Sequence, residues 1–240
     1  MTISNYLIQS LLPGFTSGHT RYVQCVKELF RDGCRWLDAG GGRRIFHDLY
    51  DGEQALVARA GHVVVCDADP ESLKDHVSVS HRICCDLSAI PLSSNWFDFI
   101  TCGMVVEHLA NPRDCLKELS RLLSSGGTLV IHTVNSYSYP TLMAHLSKCV
   151  PFRRRLIAKI SGRKEEDIFP TLYLCNTATR MTSYLSDAGL QLMELRHMDA
   201  GIIFKHCWPL TLLECLYIRL TRRPALSKLR GQLLVIATKP

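Results

Sequence analysis

The run Trp36-Leu37-Asp38-Ala39-Gly40-Gly41-Gly42 constrains this chain more than any other stretch. An apolar, strand-like segment reaches an acid and then breaks into three glycines. Lacking a Cβ, glycine takes positive φ and lets ligand atoms come close to the backbone. A strand that feeds such a turn builds a crevice at the carboxyl edge of a parallel sheet. The acid narrows what that crevice accepts. A carboxylate beside the glycines repels a pyrophosphate and suits a ligand that carries positive charge nearby.

Further landmarks follow in order. Val63-Val64-Val65-Cys66-Asp67 is a β-branched apolar run ending in an acid, as expected of a buried parallel strand. A carboxylate at such a strand end can accept two ribose hydroxyls. Asp69 and Pro70 supply an N-cap and a first helical residue. Cys84-Cys85-Asp86-Leu87, Ile90-Pro91-Leu92 and Trp96-Phe97-Asp98-Phe99-Ile100-Thr101-Cys102 lead through a proline-containing connection into another strand. Met104-Val105-Val106-Glu107-His108-Leu109 comes next, then Asn111-Pro112 as a second cap and helix start. Leu116, Leu119, Leu122 and Leu123 recur at helical spacing. Ser124-Ser125-Gly126-Gly127 is expected to end that helix, with a strand resuming over 128–133.

These landmarks together resemble the class I S-adenosylmethionine (SAM)-dependent methyltransferases, over roughly residues 34–135. Asp38-Ala39-Gly40-Gly41-Gly42 is similar to their first motif; Arg44 stands where a further glycine is common. The resemblance implies a Rossmann-like, doubly wound α/β fold. Its seven-stranded sheet has order 3-2-1-4-5-7-6, mostly parallel with one antiparallel strand and helices on both faces. It also implies SAM as cofactor, held by Asp38, Ala39 and Gly40 to Gly42. Asp67 falls to the ribose, Ala68 and Leu87 to the adenine ring and Asp86 to its amino group, with Cys102 completing the set. Glu107-His108-Leu109 matches a family segment and makes His108 the candidate general base. His132 is expected to be buried, Asp98 to be structural, and Asn135, Tyr137 and Tyr173 are candidates to orient an acceptor.

Composition sets the remaining bounds. A chain of 240 residues, 47% of them hydrophobic, is long enough for one α/β domain with a sizeable core. Eleven cysteines lie scattered without a CxxC pair, which reads as reduced thiols in a cytoplasmic protein, with no metal site. No apolar stretch is long enough to span a bilayer. Residues 1–150 hold 13 Lys and Arg against 15 Asp and Glu, while residues 151–240 hold 15 against 7, a shift from −2 to +8. The basic half is mixed with apolar runs and lacks a nucleic-acid-binding module, so nucleic acid ranks low. A small-molecule or lipid-like acceptor ranks first, with peripheral membrane contact through the basic C-terminal region as its variant. The oligomeric state is left open. A Rossmann oxidoreductase using NAD(P) would need a glycine at position 45, which is Ile45. A SAM-binding scaffold without turnover is the other alternative.

Along the chain, residues 1–33 read as one or two helices; the resemblance implies a helical lid over the cofactor with Phe15, His19, Arg21 and Tyr22 as its candidates, the alternative being a packing helix with solvated Arg21, and 34–135 reads as the SAM-binding core. Ile45–Ala60 is expected to hold a longer loop broken at Asp51-Gly52. The stretches 136–176 and 201–230 read as substrate covers. The first carries Arg153-Arg154-Arg155 and Asp167 to Tyr173. The second carries an amphipathic run from Leu210 to Leu220, read as packed on the core or in a dimer contact, or as lying in a membrane interface. A helix over 177–188, capped by Asn176, precedes the strand Leu190–Met198, and Leu233–Thr238 closes the sheet.

Overall fold

The computed structural model describes residues 2–46, 52–146 and 170–240. Arg153 to Arg155, Asp167 to Phe169 and Asp51 therefore lie outside the described residues. Seven strands form one sheet in the order β3-β2-β1-β4-β5-β7-β6. They are β1 (Arg35–Ala39), β2 (His62–Asp67), β3 (Arg82–Cys84), β4 (Phe97–Gly103), β5 (Leu123–Val134), β6 (Gln191–Met198) and β7 (Gln232–Thr238). The pairs β1–β2, β1–β4, β2–β3 and β4–β5 are parallel, and β7 runs antiparallel to both β5 and β6. This is the expected order.

The helices are α1 (Ile3–Leu11), α2 (Gly18–Leu29), α3 (Glu53–Arg59), α4 (Pro70–Lys74), α5 (Pro112–Leu122), α6 (Tyr139–Leu146), α7 (Ala178–Asp187) and α8 (Trp208–Thr221). Alternation along the strands supplies a core on each face of the sheet. Leu37, Ile100, Cys102 and Ile131 pack against Leu116 and Leu119 of α5 and Met181 and Leu185 of α7. Trp36, Val65, Phe99 and Val130 face the other way, onto Tyr22 and Val26 of α2.

Local signals hold at most boundaries. Asp69 caps α4 by accepting from the Glu71 amide, with Pro70 behind it. Asn111 occupies the cap position of α5, but its amide donates to the Asp114 carboxylate and not into the backbone. Two boundaries differ from expectation. Helix α5 stops at Leu122 and β5 begins at Leu123 without an intervening turn. The Ser124-Ser125-Gly126-Gly127 segment is instead a bulge, where the register jumps from Phe97↔Leu123 to Phe99↔Thr128 and Gly126 takes φ +75°. The cap of α7 is Thr177, which accepts from the Arg180 amide, while Asn176 turns its amide onto Thr133 and Val134. After the glycines, residues 43–46 form turns and bends, and the next described helix opens only at Glu53.

Candidate functional site

The carboxyl ends of β1, β2 and β4 bring the first two acids together. Asp38 is buried at the end of β1. Its Oδ1 accepts a 2.6 Å hydrogen bond from Thr101 Oγ1 on β4, and Thr101 in turn accepts from Trp36 Nε1 at 2.8 Å. Asp38 Oδ2 has no hydrogen-bond partner among the described residues. A buried carboxylate oxygen left unpaired is costly. Burial pushes the Asp38 carboxyl well above its ordinary range, the Thr101 hydrogen bond opposes this, and Glu53 and Asp67 add to the rise.

Each glycine has a local reason. Gly40 turns the chain at φ +79° and donates its amide to the Cys66 carbonyl of β2 at 2.7 Å. A Cβ on Gly41 would lie 2.3 Å from Asp38 Oδ2 and 2.7 Å from Val65 Cγ1, so a side chain there would cover the one unpaired oxygen. Gly42 donates its amide to Asp67 Oδ2 at 2.9 Å, and the Asp69 amide donates to Oδ1 at 2.9 Å. Asp67 is thus held by backbone at both oxygens, with one lone pair on each still able to accept. Ala68 beside it is exposed.

The third acid differs. Asp86 is exposed and folds back on its own chain, accepting from the Ser88 amide and hydroxyl at 2.7 Å each, and these bonds hold its carboxyl below the ordinary range. Leu87 and Cys102 are buried in the core on the α5 side, and burial drives the Cys102 thiol up.

From the lid region, only Tyr22 reaches deep into this edge. Its ring stacks on His132 of β5 with centroids 5.0 Å apart and meets Phe46 edge-on at 6.0 Å. Its hydroxyl is buried without a partner among the described residues. Burial raises its pKa well above the ordinary value, and Asp38 adds to the rise. His19 lies 6.2 Å from His132, ring to ring. Arg21 is exposed, and Phe15 packs with α1 and α8 instead. His132 is buried, as expected, with Nε2 3.0 Å from Gln232 Oε1.

His108 is half-buried at the end of a 3-10 turn, Val106–His108. Its Nδ1 lies 2.8 Å from the Pro170 carbonyl. A carbonyl only accepts, so Nδ1 carries a proton. The turn is anchored by Glu107, whose carboxylate accepts from Thr133 Oγ1 and whose carbonyl accepts from the Leu172 and Tyr173 amides. Asn135 is not available to orient a ligand: its amide nitrogen donates to the Lys228 and Arg230 carbonyls and its oxygen accepts from the Tyr137 amide. Tyr137 is exposed, and the Tyr173 ring lies tilted against His145, with centroids 4.9 Å apart.

Thr101 and the Glu107–Thr133–Asn176 network were not singled out from sequence. Thr101 leaves a signal, a hydroxyl inside the apolar run Phe99-Ile100-Thr101-Cys102. The network leaves none, because its members come from three distant segments.

A buried, half-satisfied carboxylate beside a glycine turn, with a second acid tied to that turn, suits a cationic adenosyl ligand. Residues 37–131 match the family described as "Methyltransferase domain". Those residues, 37–131, form a SAM-dependent methyltransferase domain of the class I type. Its cofactor is S-adenosylmethionine. Among curated proteins, it is 24% identical to the ubiquinone/menaquinone biosynthesis C-methyltransferase UbiE of Neisseria meningitidis, over 73% of this chain and 74% of that one. It is 23% identical to the demethylmenaquinone methyltransferase of Renibacterium salmoninarum over 50% of this chain, and spans about half (52%) of that relative's length. Among solved structures, it is similar to the complex of the Haloferax volcanii Trm112 methyltransferase activator with a methyltransferase. The TM-score is 0.60 at 15% identity, covering 99% of this chain and 97% of that one. At that identity the likeness concerns the fold.

Proposed function

We propose that this methyltransferase domain transfers a methyl group from SAM to a carbon of a small quinol-type acceptor with an apolar tail. The observation that carries the donor side is the unpaired, buried Oδ2 of Asp38 beside Gly41. On this reading Asp38 neutralises the cofactor's positive charge, Asp67 accepts its ribose hydroxyls and Asp86 takes the adenine amino group. Gly40 and Gly41 admit it close to the backbone, and Tyr22 closes over it from α2. When bound, SAM supplies a methyl already activated on a sulfonium, so the chain's own contribution is positioning and the exclusion of water.

The acceptor side rests on the named relatives and on what surrounds His108. The loop tied to Glu107 carries exposed Leu172 and Leu174, and α6 carries exposed Leu142, Met143 and Leu146. An apolar rim of this kind favours an apolar acceptor over an anionic sugar. On this reading His108 takes up the acceptor's hydroxyl proton, which makes the ring carbon the better nucleophile; S-adenosylhomocysteine leaves as the carbon–methyl bond forms, and the proton on that carbon is lost to solvent as the ring regains aromaticity.

Incubation of the full chain with SAM and a short-tailed naphthoquinol tests this. Mass spectrometry is expected to show one methyl added at ring carbon, with His108→Ala lowering kcat by roughly 10²-fold. If S-adenosylhomocysteine binds but no quinol is methylated, the acceptor assignment fails while the donor assignment stands.

A further inference from the structure

Helix α8 is folded inside out. The face it turns to the protein carries Thr211, Glu214, Cys215, Ile218 and Thr221, of which Thr211 is 0% and Glu214 4% exposed. The opposite face carries Leu213, Leu216 and Leu220 at one-turn and two-turn spacing, exposed by 62%, 47% and 44%, with Trp208 at the helix start exposed by 51%. The buried polar groups are fully provided for. Glu214 accepts from the Ile203 and Phe204 amides and from the Tyr139 hydroxyl. The Thr211 hydroxyl lies 2.7 Å from the Phe204 carbonyl and 3.1 Å from Ser4 Oγ on α1. A small apolar cluster of Leu12, Ile202, Cys215 and Ile218 completes the joint. The leucines therefore play no part in holding the helix in place, and they expose a contiguous apolar stripe of the kind that marks an interaction site.

Charge identifies the occupant. Residues 200–230 contain six lysines and arginines and a single acid, and that acid is the buried Glu214. Arg222 and Arg230 are spent on the buried Asp199. Lys205, Arg219, Arg223 and Lys228 are exposed and make no ion pair among the described residues. Helix α1, packed beside α8, has no charged residue at all and turns Ile3 and Tyr6 outward. An apolar stripe bordered by cations, with no exposed carboxylate, repels basic surfaces and complements an anionic one that can take apolar side chains into it. A helix of 14 residues is too short to cross a bilayer, and it has the length and pattern to lie in the interface plane.

We infer that the α1–α8 pair docks on the surface of an anionic lipid bilayer, with Leu213, Leu216, Leu220 and Trp208 buried in the headgroup region and the neighbouring cations on acidic headgroups. The pair joins the body where β6 ends and β7 begins. There Met198 pairs with Gln232, and Gln232 with Val134, at the carboxyl end of β5. The docked surface thus lies at the sheet edge that holds the glycine turn. Docking does not depend on the identity of the methyl acceptor.

The experiment is flotation of the full chain with vesicles of phosphatidylcholine alone and with a quarter phosphatidylglycerol. The expected result is recovery with the anionic vesicles, a blue shift of emission that Trp208→Phe abolishes, and release as salt screens the headgroup charge. Leu213→Glu with Leu216→Glu is expected to weaken partition by about tenfold or more, while the melting temperature and S-adenosylhomocysteine affinity stay unchanged because both side chains face solvent. Absence of binding to vesicles of either composition overturns the inference. So does a concentration-dependent dimer in sedimentation that the same double variant dissolves while vesicles remain unbound, which would make the stripe a contact between copies.

Discussion

Two buried carboxylates in this molecule have opposite surroundings. Glu214, under α8, accepts from two backbone amides and a tyrosine hydroxyl and leaves no polar atom of its own unpaired among the described residues. Asp38, at the end of β1, has one oxygen satisfied by Thr101 and the other bare. Both acids are removed from water, so both incur a desolvation cost. Only Glu214 recovers it within the chain. A buried acid that is fully paired belongs to the scaffold, and one left half-paired beside a glycine turn is kept for something that arrives later. The neighbouring side chains agree: Gly41 has no Cβ to cover Asp38, whereas α1, α6 and the 203–204 backbone all converge on the helix that bears Glu214.

The largest expected effect is on the scaffold side. Glu214→Ala strands the Ile203 and Phe204 amides and the Tyr139 hydroxyl at once. With about 1 kcal/mol or more for each unpaired group, a loss of roughly 3 kcal/mol is expected in urea unfolding. Affinity for S-adenosylhomocysteine, measured under conditions where the variant stays folded, should not move. Weakened binding would join the two regions into one and break the contrast.

Asp38 is expected to behave in reverse. Asp38→Ala should weaken S-adenosylhomocysteine binding by about 10–100-fold in calorimetry, the scale of a lost charge-assisted contact. Asp38→Asn, which keeps an acceptor for Thr101 and removes the buried charge, should lose affinity yet raise the melting temperature of the ligand-free protein. The sign with pH follows from its raised pKa. Stability from the protonated form is fully present below the ordinary carboxyl value and is lost as pH rises through the raised one. Ligand affinity runs the other way, climbing as Asp38 ionises, and Asp38→Asn should flatten both dependences. An Asp38→Asn protein that is less stable and binds normally would place Asp38 with Glu214 on the scaffold side.

The same contrast explains what the sequence made legible. Acids at the ends of apolar runs, and a glycine cluster after one of them, are local signals, and each landed at the carboxyl edge of its strand. The sheet order came from the resemblance to the methyltransferase family and matches the observed one. What was illegible depends on partners distant in sequence. Thr101 bridges Trp36 and Asp38 from 65 and 63 positions away. Helix α8 was visible as an amphipathic run, but periodicity gives the angle between two faces and not which of them is buried. Its inversion rests on Glu214 finding donors in a loop and on α6, and no window of sequence around α8 contains the whole set. The early start of β5 has a similar origin, since the bulge at Ser124–Gly127 is defined against Phe97 on the neighbouring strand.

A third carboxylate calibrates the comparison with the smallest effect. Asp98 opens β4 at the opposite end of the strand from Thr101 and accepts from Arg35 at Nε, Nη2 and the backbone amide, at 2.9, 2.6 and 3.0 Å. The Arg35 guanidinium holds its carboxyl down to about 2, from an ordinary 3.8. A depressed acid contributes stability above its ordinary value and loses it as pH falls toward the lowered one, here between about 4 and 2. The pair is 37% and 40% exposed, so solvent screening should hold that contribution to about 1 kcal/mol or less. Asp98→Asn should therefore soften the acid limb of the unfolding curve by that amount and leave S-adenosylhomocysteine affinity at pH 7 untouched. Satisfied like Glu214 but exposed, Asp98 separates pairing from burial. If its replacement costs as much as that of Glu214, burial is not what sets the scale, and the unpaired oxygen of Asp38 loses its significance as the mark of a ligand site.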